Sequence, residues 1–194
     1  MRLPPAALHV SREIPDEGRW NLPPAARVAL RGRHQLQEDD VILDAAELEA
    51  FVREQRARGR RIAFTNGVFD ILHPGHLRYL QAARAHGDVL IVGVNSDASV
   101  RRNKGRDRPI NSERERAEVL AAFECVDAVS VFDEDTPADI IARVQPDVLV
   151  KGADWPTDQI VGRETVEARG GVVIREPVER GYSTSAIIEK VRSL

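Results

Sequence analysis

The 194-residue sequence has one cysteine, no long apolar run and almost no excess of charge, and each shortage excludes a class of protein. With Cys125 alone, the chain can form neither an internal disulfide framework nor a cysteine-based metal cluster. No apolar run approaches the length of a bilayer span, and the first residues, MRLPPAALHV, lack the apolar segment of a signal peptide. We therefore expect a cytoplasmic protein that does not enter a membrane.

The charge balance excludes a second class of protein. The formal net charge is -3, whereas a general nucleic-acid binder needs a basic surface that dominates the molecule. Any positively charged site must therefore be local. A GxGxxG motif after the first predicted strand is also lacking, which argues against a dehydrogenase.

The sequence divides at residue 44. Residues 1–43 contain five prolines and no sustained hydrophobic period, which predicts an irregular arm that is either disordered or packed across a neighbouring subunit. Asp44 and Glu47 then form a potential capping box, and Gly59 ends the helix that follows. We expect an arm over 1–43, without catalytic groups, and one domain over 44–194.

Short apolar runs alternate with helical patterns along the domain. Five runs are too continuous for a sheet with a wet face and predict buried strands: 61–67, 88–96, 127–132, 147–152 and 171–177. Helical patterns lie near 75–86, 112–123, 137–144, 159–168 and 185–192. The alternation predicts a Rossmann-like α/β fold with a doubly wound parallel sheet.

Polar or basic residues follow four of these strands, at the edge where ligands bind in such sheets. They are Thr65, Asn66 and Gly67, then Asn95, Ser96 and Asp97, then Lys151 and Asp154, and finally Ser183, Thr184 and Ser185. The sequence therefore predicts one site built from four loops.

Two histidines close the stretch FTNGVFDILHPGH over 64–76. Gly67 would let backbone approach a ligand, and Pro74 suits the first turn of a helix whose free N–H groups favour an anion. His73 and His76, three residues apart, can present both rings to one side of that helix end. The pattern favours a phosphate site. Zinc is the alternative, but no third ligand follows at suitable spacing.

Two further stretches could contact phosphates. RRNKGRDRP carries five basic residues against Asp107, which indicates either a solvated face or a flexible polyphosphate clamp with Gly105 giving mobility. In GYSTS, one of Ser183, Thr184 and Ser185 is expected to cap a helix, which leaves the other hydroxyls free for a ligand.

GVFDILHPGH and GYSTS, together with NSD, VKGAD and their spacing, resemble the HxGH and ISTT elements of the cytidylyltransferase-like nucleotidyltransferase family. The resemblance runs from about Asp44 to the C-terminus. Within the family it is to the branch that acts on D-glycero-β-D-manno-heptose 1-phosphate, in the form without a fused kinase. Residues 1–43 have no counterpart, and Ser185 replaces a more usual threonine.

The resemblance implies transfer of AMP from ATP to a sugar 1-phosphate, with release of pyrophosphate. Mg²⁺ would accompany ATP and bridge phosphate oxygens with few protein ligands. The expected partners are ATP and the sugar phosphate, with neither nucleic acid nor membrane, in a homodimer. A glycerol 3-phosphate cytidylyltransferase-like enzyme and a non-catalytic nucleotide sensor remain the alternatives.

The resemblance also assigns roles to residues. His73, His76 and Lys104 would act on the ATP phosphates, and Arg116 would join them unless it forms an ion pair on the helix surface. The other nucleotide-binding residues would be Thr65, Asn66, Gly67, Phe69, Asp97, Ser183, Thr184 and Ser185. Asp70, Lys151 and Asp154 would bind the substrate. The two aspartates would contact sugar hydroxyls or ribose, although either could instead be a structural cap.

Base selectivity is predicted from one difference within the family. The cytidylyltransferase branch has an arginine three residues before the glycine of the ISTT-like element, where this chain has Val178. Arg180 would point to the other side of an extended segment. Because valine offers no donor to a pyrimidine carbonyl, we expect ATP to be preferred over CTP, unless Val178 only continues the packing of the preceding strand.

Overall fold

The computed structural model describes residues 41–177, 179 and 181–194. The predicted arm lies outside these residues apart from its last three, which join the sheet. Val129 donates its backbone N–H to the carbonyl of Val41, and Leu43 donates to the carbonyl of Val129, both at 2.8 Å. Residues 41–43 thus form part of the folded domain.

Five parallel strands form one sheet in the order β3-β2-β1-β4-β5. The strands are β1 (Ile62–Gly67), β2 (Val89–Asn95), β3 (Ala128–Phe132), β4 (Val148–Gly152) and β5 (Val172–Glu176). Each corresponds to a predicted strand, so the doubly wound α/β fold is confirmed. The strand order reverses between β1 and β4, and a ligand crevice forms at such a point.

Helices cover both faces of the sheet. They are α1 (Ala45–Ala57), α2 (Pro74–Arg84), α3 (Asp97–Lys104), α4 (Glu113–Ala121), α5 (Ala138–Val144), α6 (Arg163–Glu167) and α7 (Thr184–Arg192), with a 3-10 turn at Thr157–Gln159. The predicted capping box at Asp44 is present at the start of α1. None of the helices in the described part of the chain has the length and apolarity that a bilayer span requires.

Consecutive strand residues enter opposite core layers, as the continuous apolar runs require. Phe64 and Ile91 pack in the layer that contains α1 and α5. Leu90 and Val92 pack in the layer that contains α2 and α4. All four side chains are fully buried.

Aspartates at the starts of three strands fix the strand register. Each aspartate precedes its strand by one residue. Its carboxylate accepts a backbone N–H from the neighbouring strand, or from the residue that precedes the neighbouring strand. The pairs are Asp88 with Arg61 at 2.8 Å, Asp127 with Leu90 at 2.9 Å and Asp147 with Ile62 at 2.8 Å. These bonds pair the first amides at the edge opposite the site.

The basic stretch RRNKGRDRP after β2 was predicted as a solvated face or a flexible clamp, and part of it is helical. Its first half is the C-terminal half of α3, which Ser96 caps and which ends at Gly105, where φ is 97°. The loop after β3 holds the helix: the Ser99 hydroxyl donates to the carbonyl of Glu134 at 2.8 Å, and Arg102 pairs with Asp135 at 2.5 Å. Residues 101–104 are therefore helical rather than part of a loop, and distant contacts hold this polar helix in place.

The helix predicted over 159–168 is shorter than expected. Gly162 adopts a left-handed conformation with φ of 86°, and α6 begins only after it. A Cβ at this glycine would lie 2.6 Å from Cδ1 of Ile141. The close packing against α5 and the positive φ together require glycine here.

Candidate active site

A cavity of about 760 Å³ opens at the carboxyl ends of β1, β2 and β4. The N-terminal ends of α2 and α7 also line it. It brings together all the predicted site residues except Thr65, Ser96, Asp97 and Arg116. The residues that it collects are Asn66, Gly67, Phe69, Asp70, His73, His76, Asn95, Lys104, Lys151, Asp154, Ser183, Thr184 and Ser185.

The two histidines form a stacked pair at the start of α2. His73 is the N-cap, and its Nδ1 accepts the backbone N–H of His76 at 3.3 Å. The ring centroids are 3.8 Å apart, and the planes are 11° from parallel. Phe69 meets the His76 ring edge-on at 5.4 Å and has a positive φ of 49°, a strained backbone of the kind found at functional sites.

Burial makes both imidazoles weak bases. It lowers the pKa of His76 to about 4, with the neighbouring His73 adding to the effect, and it also lowers the pKa of His73. Nδ1 of His76 is buried and has no hydrogen-bond partner among the described residues. A buried polar atom without a partner is costly, and a ligand atom at this position would supply the missing partner.

The segment before α7 packs against the histidine pair. Tyr182 lies over the His73 ring, with centroids 5.9 Å apart, and a Cβ on Gly75 would be 3.0 Å from Cβ of Tyr182. The guanidinium carbon of Arg78 lies 5.7 Å from the centroid of the Tyr182 ring, and Arg78 forms an ion pair with Glu179. The glycine of HPGH therefore permits the close approach of the two segments that form this wall.

The three hydroxyls at the start of α7 have different roles. Ser183 caps the helix by accepting the backbone N–H of Ala186 at 3.4 Å, as one of the three was expected to do. Thr184 donates to the carbonyl of Ile71 at 3.2 Å. Ser185 makes no side-chain hydrogen bond with the described residues, and its hydroxyl lines the cavity.

Lys151 reaches across from β4 to β1, where its Nζ contacts Oδ1 of Asn66. Burial lowers the pKa of this ammonium to about 8. Because Oδ1 accepts from the lysine, the amide NH₂ of Asn66 is the group left for a ligand. The pair presents one buried cation and one amide donor at the strand-order reversal.

Replacing Lys151 with methionine should stabilise the protein at pH 7, because it removes the desolvation cost of a buried ammonium. Between about pH 8 and 10.5 the folded wild type binds fewer protons than the unfolded chain, so its stability rises with pH through this window. The advantage of methionine should therefore be largest below pH 8 and shrink by pH 10.5. Thermal melts of both proteins at pH 7 and pH 10 measure it, and an equal advantage at both values would contradict the assignment.

Arg116 and Asp97, two predicted site residues, bind each other and the backbone and do not line the cavity. Arg116 is 1% exposed, so it is neither on the helix surface nor in contact with the cavity. It donates to backbone carbonyls of Val68 at 2.6 Å, Asn95 at 2.8 Å and Asn111 at 3.0 Å, and to the carboxylate of Asp97 at 2.8 Å. One guanidinium thus ties the ends of β1 and β2 to the starts of α3 and α4.

Thr65 and Asp70 are also committed to the protein. The Thr65 hydroxyl shares a hydrogen bond of 2.8 Å with the Tyr79 hydroxyl inside the α2 layer. The Asp70 carboxylate accepts from Nε of Arg108 at 2.6 Å and from two backbone N–H groups. Asp70 is therefore a structural anchor, as its alternative assignment allowed.

Sequence reasoning missed several residues that line the cavity. Arg108, Trp155 and Tyr182 all do so, and Trp155 is 53% exposed. Trp155 directly follows VKGAD, and an aromatic residue just beyond a strand end was a signal that could have identified it. Arg108 belongs to the basic stretch that was expected to contact phosphates, but it received no role of its own, because only the fold brings it to Asp70.

Comparison with known proteins supplies the family. A sequence profile described as cytidylyltransferase-like matches residues 64–190. The bifunctional protein HldE of Bradyrhizobium diazoefficiens is 55% identical over 155 residues, which are 80% of this chain and 31% of that protein. HldE of Geotalea uraniireducens is 49% identical over 176 residues, 91% of this chain and 36% of that protein. The chain thus spans about a third of the length of these relatives.

A solved structure agrees with the profile. The lipopolysaccharide core biosynthesis protein from Thermoplasma volcanium is 30% identical, with a TM-score of 0.53, and the match covers 64% of this chain and 100% of that one. The profile includes both the histidine pair and the hydroxyls of α7. The chain therefore belongs to the cytidylyltransferase-like family and is a nucleotidyltransferase.

Proposed function

We propose that this nucleotidyltransferase transfers AMP from ATP to D-glycero-β-D-manno-heptose 1-phosphate, giving ADP-heptose and pyrophosphate. The observation that carries the proposal is the stacked pair His73 and His76, whose unpaired buried nitrogen lies in a cavity also lined by the start of α7. The HldE relatives and the resemblance to the heptose branch support the choice of acceptor. A role in supplying an activated heptose also fits the name of the solved relative.

The acceptor needs little activation. A sugar phosphate has a second pKa near 6, so at neutral pH its oxygen can attack the α-phosphorus of ATP without a strong general base. The bond from that phosphorus to pyrophosphate breaks as the new bond forms. Catalysis then rests on in-line positioning and on neutralising the charge on the phosphate oxygens.

Different residues of the cavity bind different phosphate groups. His73 and His76 donate N–H groups to the ATP phosphates, and Ser185 with the free amides of α7 binds the β- and γ-phosphates. Lys104, the last residue of α3, supplies positive charge from a fixed helix rather than from a mobile loop. Asn66 and Lys151 contact the nucleotide at the strand-order reversal.

The donor set fits a magnesium ion that arrives with ATP. Among the described residues no cluster of three or more histidine, cysteine or acidic side chains could hold a metal. The cavity instead offers imidazoles, hydroxyls and amines, which bind phosphate, and Asp154 as a carboxylate without an ion pair in the described part of the chain. The ion would neutralise phosphate charge, and Asp154 is the residue that would hold it.

ATP should be used with at least about tenfold higher kcat/KM than CTP. The two residues on which this prediction rests, Val178 and Arg180, lie outside the described residues, so it depends on the sequence and the family branch. Pyrophosphate release, measured with each nucleotide at fixed heptose 1-phosphate, decides the matter. A preference for CTP would overturn the adenylyl assignment, and nucleotide binding without turnover of any sugar phosphate would favour the sensor. The homodimer stays a prediction.

A further inference from the structure

Arg108 lies on the wall of the cavity that is formed by residues following β2. It belongs to the segment between α3 and α4, and Asn95, Asn103 and Lys104 line the cavity with it. In the strand order this wall lies on one side of β1, whereas β4 and β5 lie on the other. The cavity therefore has a cationic wall formed by residues that follow β2, whereas the hydroxyls of α7 follow β5 in the chain and contact the segment before α2.

The guanidinium of Arg108 is fixed along one edge. Its Nε donates to Oδ2 of Asp70 at 2.6 Å. Oδ1 of the same carboxylate accepts the backbone N–H groups of Ile110 at 2.8 Å and Asn111 at 3.0 Å, and the Asp70 side chain is 1% exposed. Asp70 is therefore held rigidly, and it sets the plane in which the guanidinium lies.

The other edge of the guanidinium has no protein partner. Nη1 and Nη2 of Arg108 make no hydrogen bond with the residues that the structure describes, although only 20% of the side chain is exposed. Four N–H donors of a half-buried side chain thus remain available at the cavity that Arg108 lines. A planar fork of this kind matches two oxygens of one phosphate group.

The reaction requires two separate anion subsites. In an in-line displacement, the attacking oxygen and the departing pyrophosphate lie on opposite sides of the α-phosphorus. If the hydroxyls of α7 bind the β- and γ-phosphates, the attacking phosphate needs a second set of donors, and the unpaired edge of Arg108 at the cavity wall offers one. We propose that Arg108, oriented by Asp70, binds the phosphate group of the acceptor, an inference that rests on the proposed function.

The test is the kinetics of Arg108→Ala and Arg108→Lys with heptose 1-phosphate. Alanine should raise the KM for the sugar phosphate by about tenfold to 100-fold, the usual effect of losing hydrogen bonds to a charged group, with the KM for ATP within about twofold of wild type. Lysine keeps the charge but loses the fork, so its KM should lie between the two. Arg106→Ala is the matched control, because Arg106 is an exposed residue of the same segment, and its kinetics should equal those of wild type.

A purely structural role would give a different result. Arg108→Ala would then lower the melting temperature and affect both substrates alike, and added guanidinium ion would not restore the KM for the sugar phosphate. Either that pattern, or a KM increase confined to ATP, would overturn the proposal. Restoration by guanidinium would support it.

The proposed function can fail separately. If the wild type turns over no sugar 1-phosphate, the heptose assignment is wrong, whatever Arg108 does. Calorimetric titration of inorganic phosphate into the wild type and Arg108→Ala, each saturated with a non-hydrolysable ATP analogue, then tests the subsite by itself. Phosphate binding that is equal in both proteins, or absent from both, would overturn it, and binding to the wild type alone would support it.

Discussion

Replacing His76 with alanine should lower kcat by about 100-fold or more and leave the melting temperature nearly unchanged. One preorganised donor to developing charge is worth on the order of 100-fold to 1000-fold in rate. The buried Nδ1 of the ring lacks a described partner, so its removal relieves a desolvation cost that offsets the packing lost with the ring. Steady-state pyrophosphate release and a thermal melt of the same preparation measure the two effects.

His86→Ala is the control for this experiment. His86 lies beyond α2 and pairs with Glu176 rather than lining the cavity. Its removal should leave kcat unchanged, even if the lost pair costs some stability. A His76→Ala variant that retains wild-type turnover, or that fails to fold, would refute the catalytic assignment.

Replacing Arg116 with alanine should reduce the free energy of unfolding by about 3–5 kcal/mol, the usual cost of removing one partner from a buried ion pair. The substitution leaves Asp97 without its buried partner, and it leaves the carbonyls of Val68 and Asn95 without their arginine donor. Urea denaturation, with the slope of the transition compared between variants, measures the loss.

Arg114→Ala is a matched control on the same helix. Its side chain is 86% exposed and pairs with Glu118 across one turn, so its loss should cost less than about 1 kcal/mol. Arg116→Lys should fall between wild type and alanine, since one ammonium cannot reach four acceptors. If Arg116→Ala unfolds like wild type but binds ATP weakly, the arginine is a phosphate ligand after all.

The strands were predictable because the burial of a strand on both faces is visible in consecutive residues of the sequence. In β2, every residue is buried, and an unbroken apolar run is what a strand covered on both faces requires. The histidine pair was predictable for the same reason, since its spacing, the proline and the helix start all lie within a few residues.

Contacts between residues far apart in the sequence could not be predicted in the same way. Helix α3 buries only Ser99 and Val100, so its sequence carries almost no hydrophobic period, and a loop more than 30 residues away holds it. Arg116 and Asp70 are charged residues near the predicted strand ends and were assigned to ligands. Only the fold shows that their hydrogen bonds are used within the protein, and only the fold brings Arg108 to Asp70.

We expect the stacked imidazoles to couple ligand binding to proton uptake. With a pKa near 4, His76 is uncharged in the empty enzyme at neutral pH, whereas phosphate oxygens beside the ring favour its protonated form. Because two cationic rings 3.8 Å apart would repel each other, the pair should accept one proton rather than two. On this expectation the charge would exist only while a polyanion is bound, and after pyrophosphate leaves no permanent cation would remain on the histidines to recapture it.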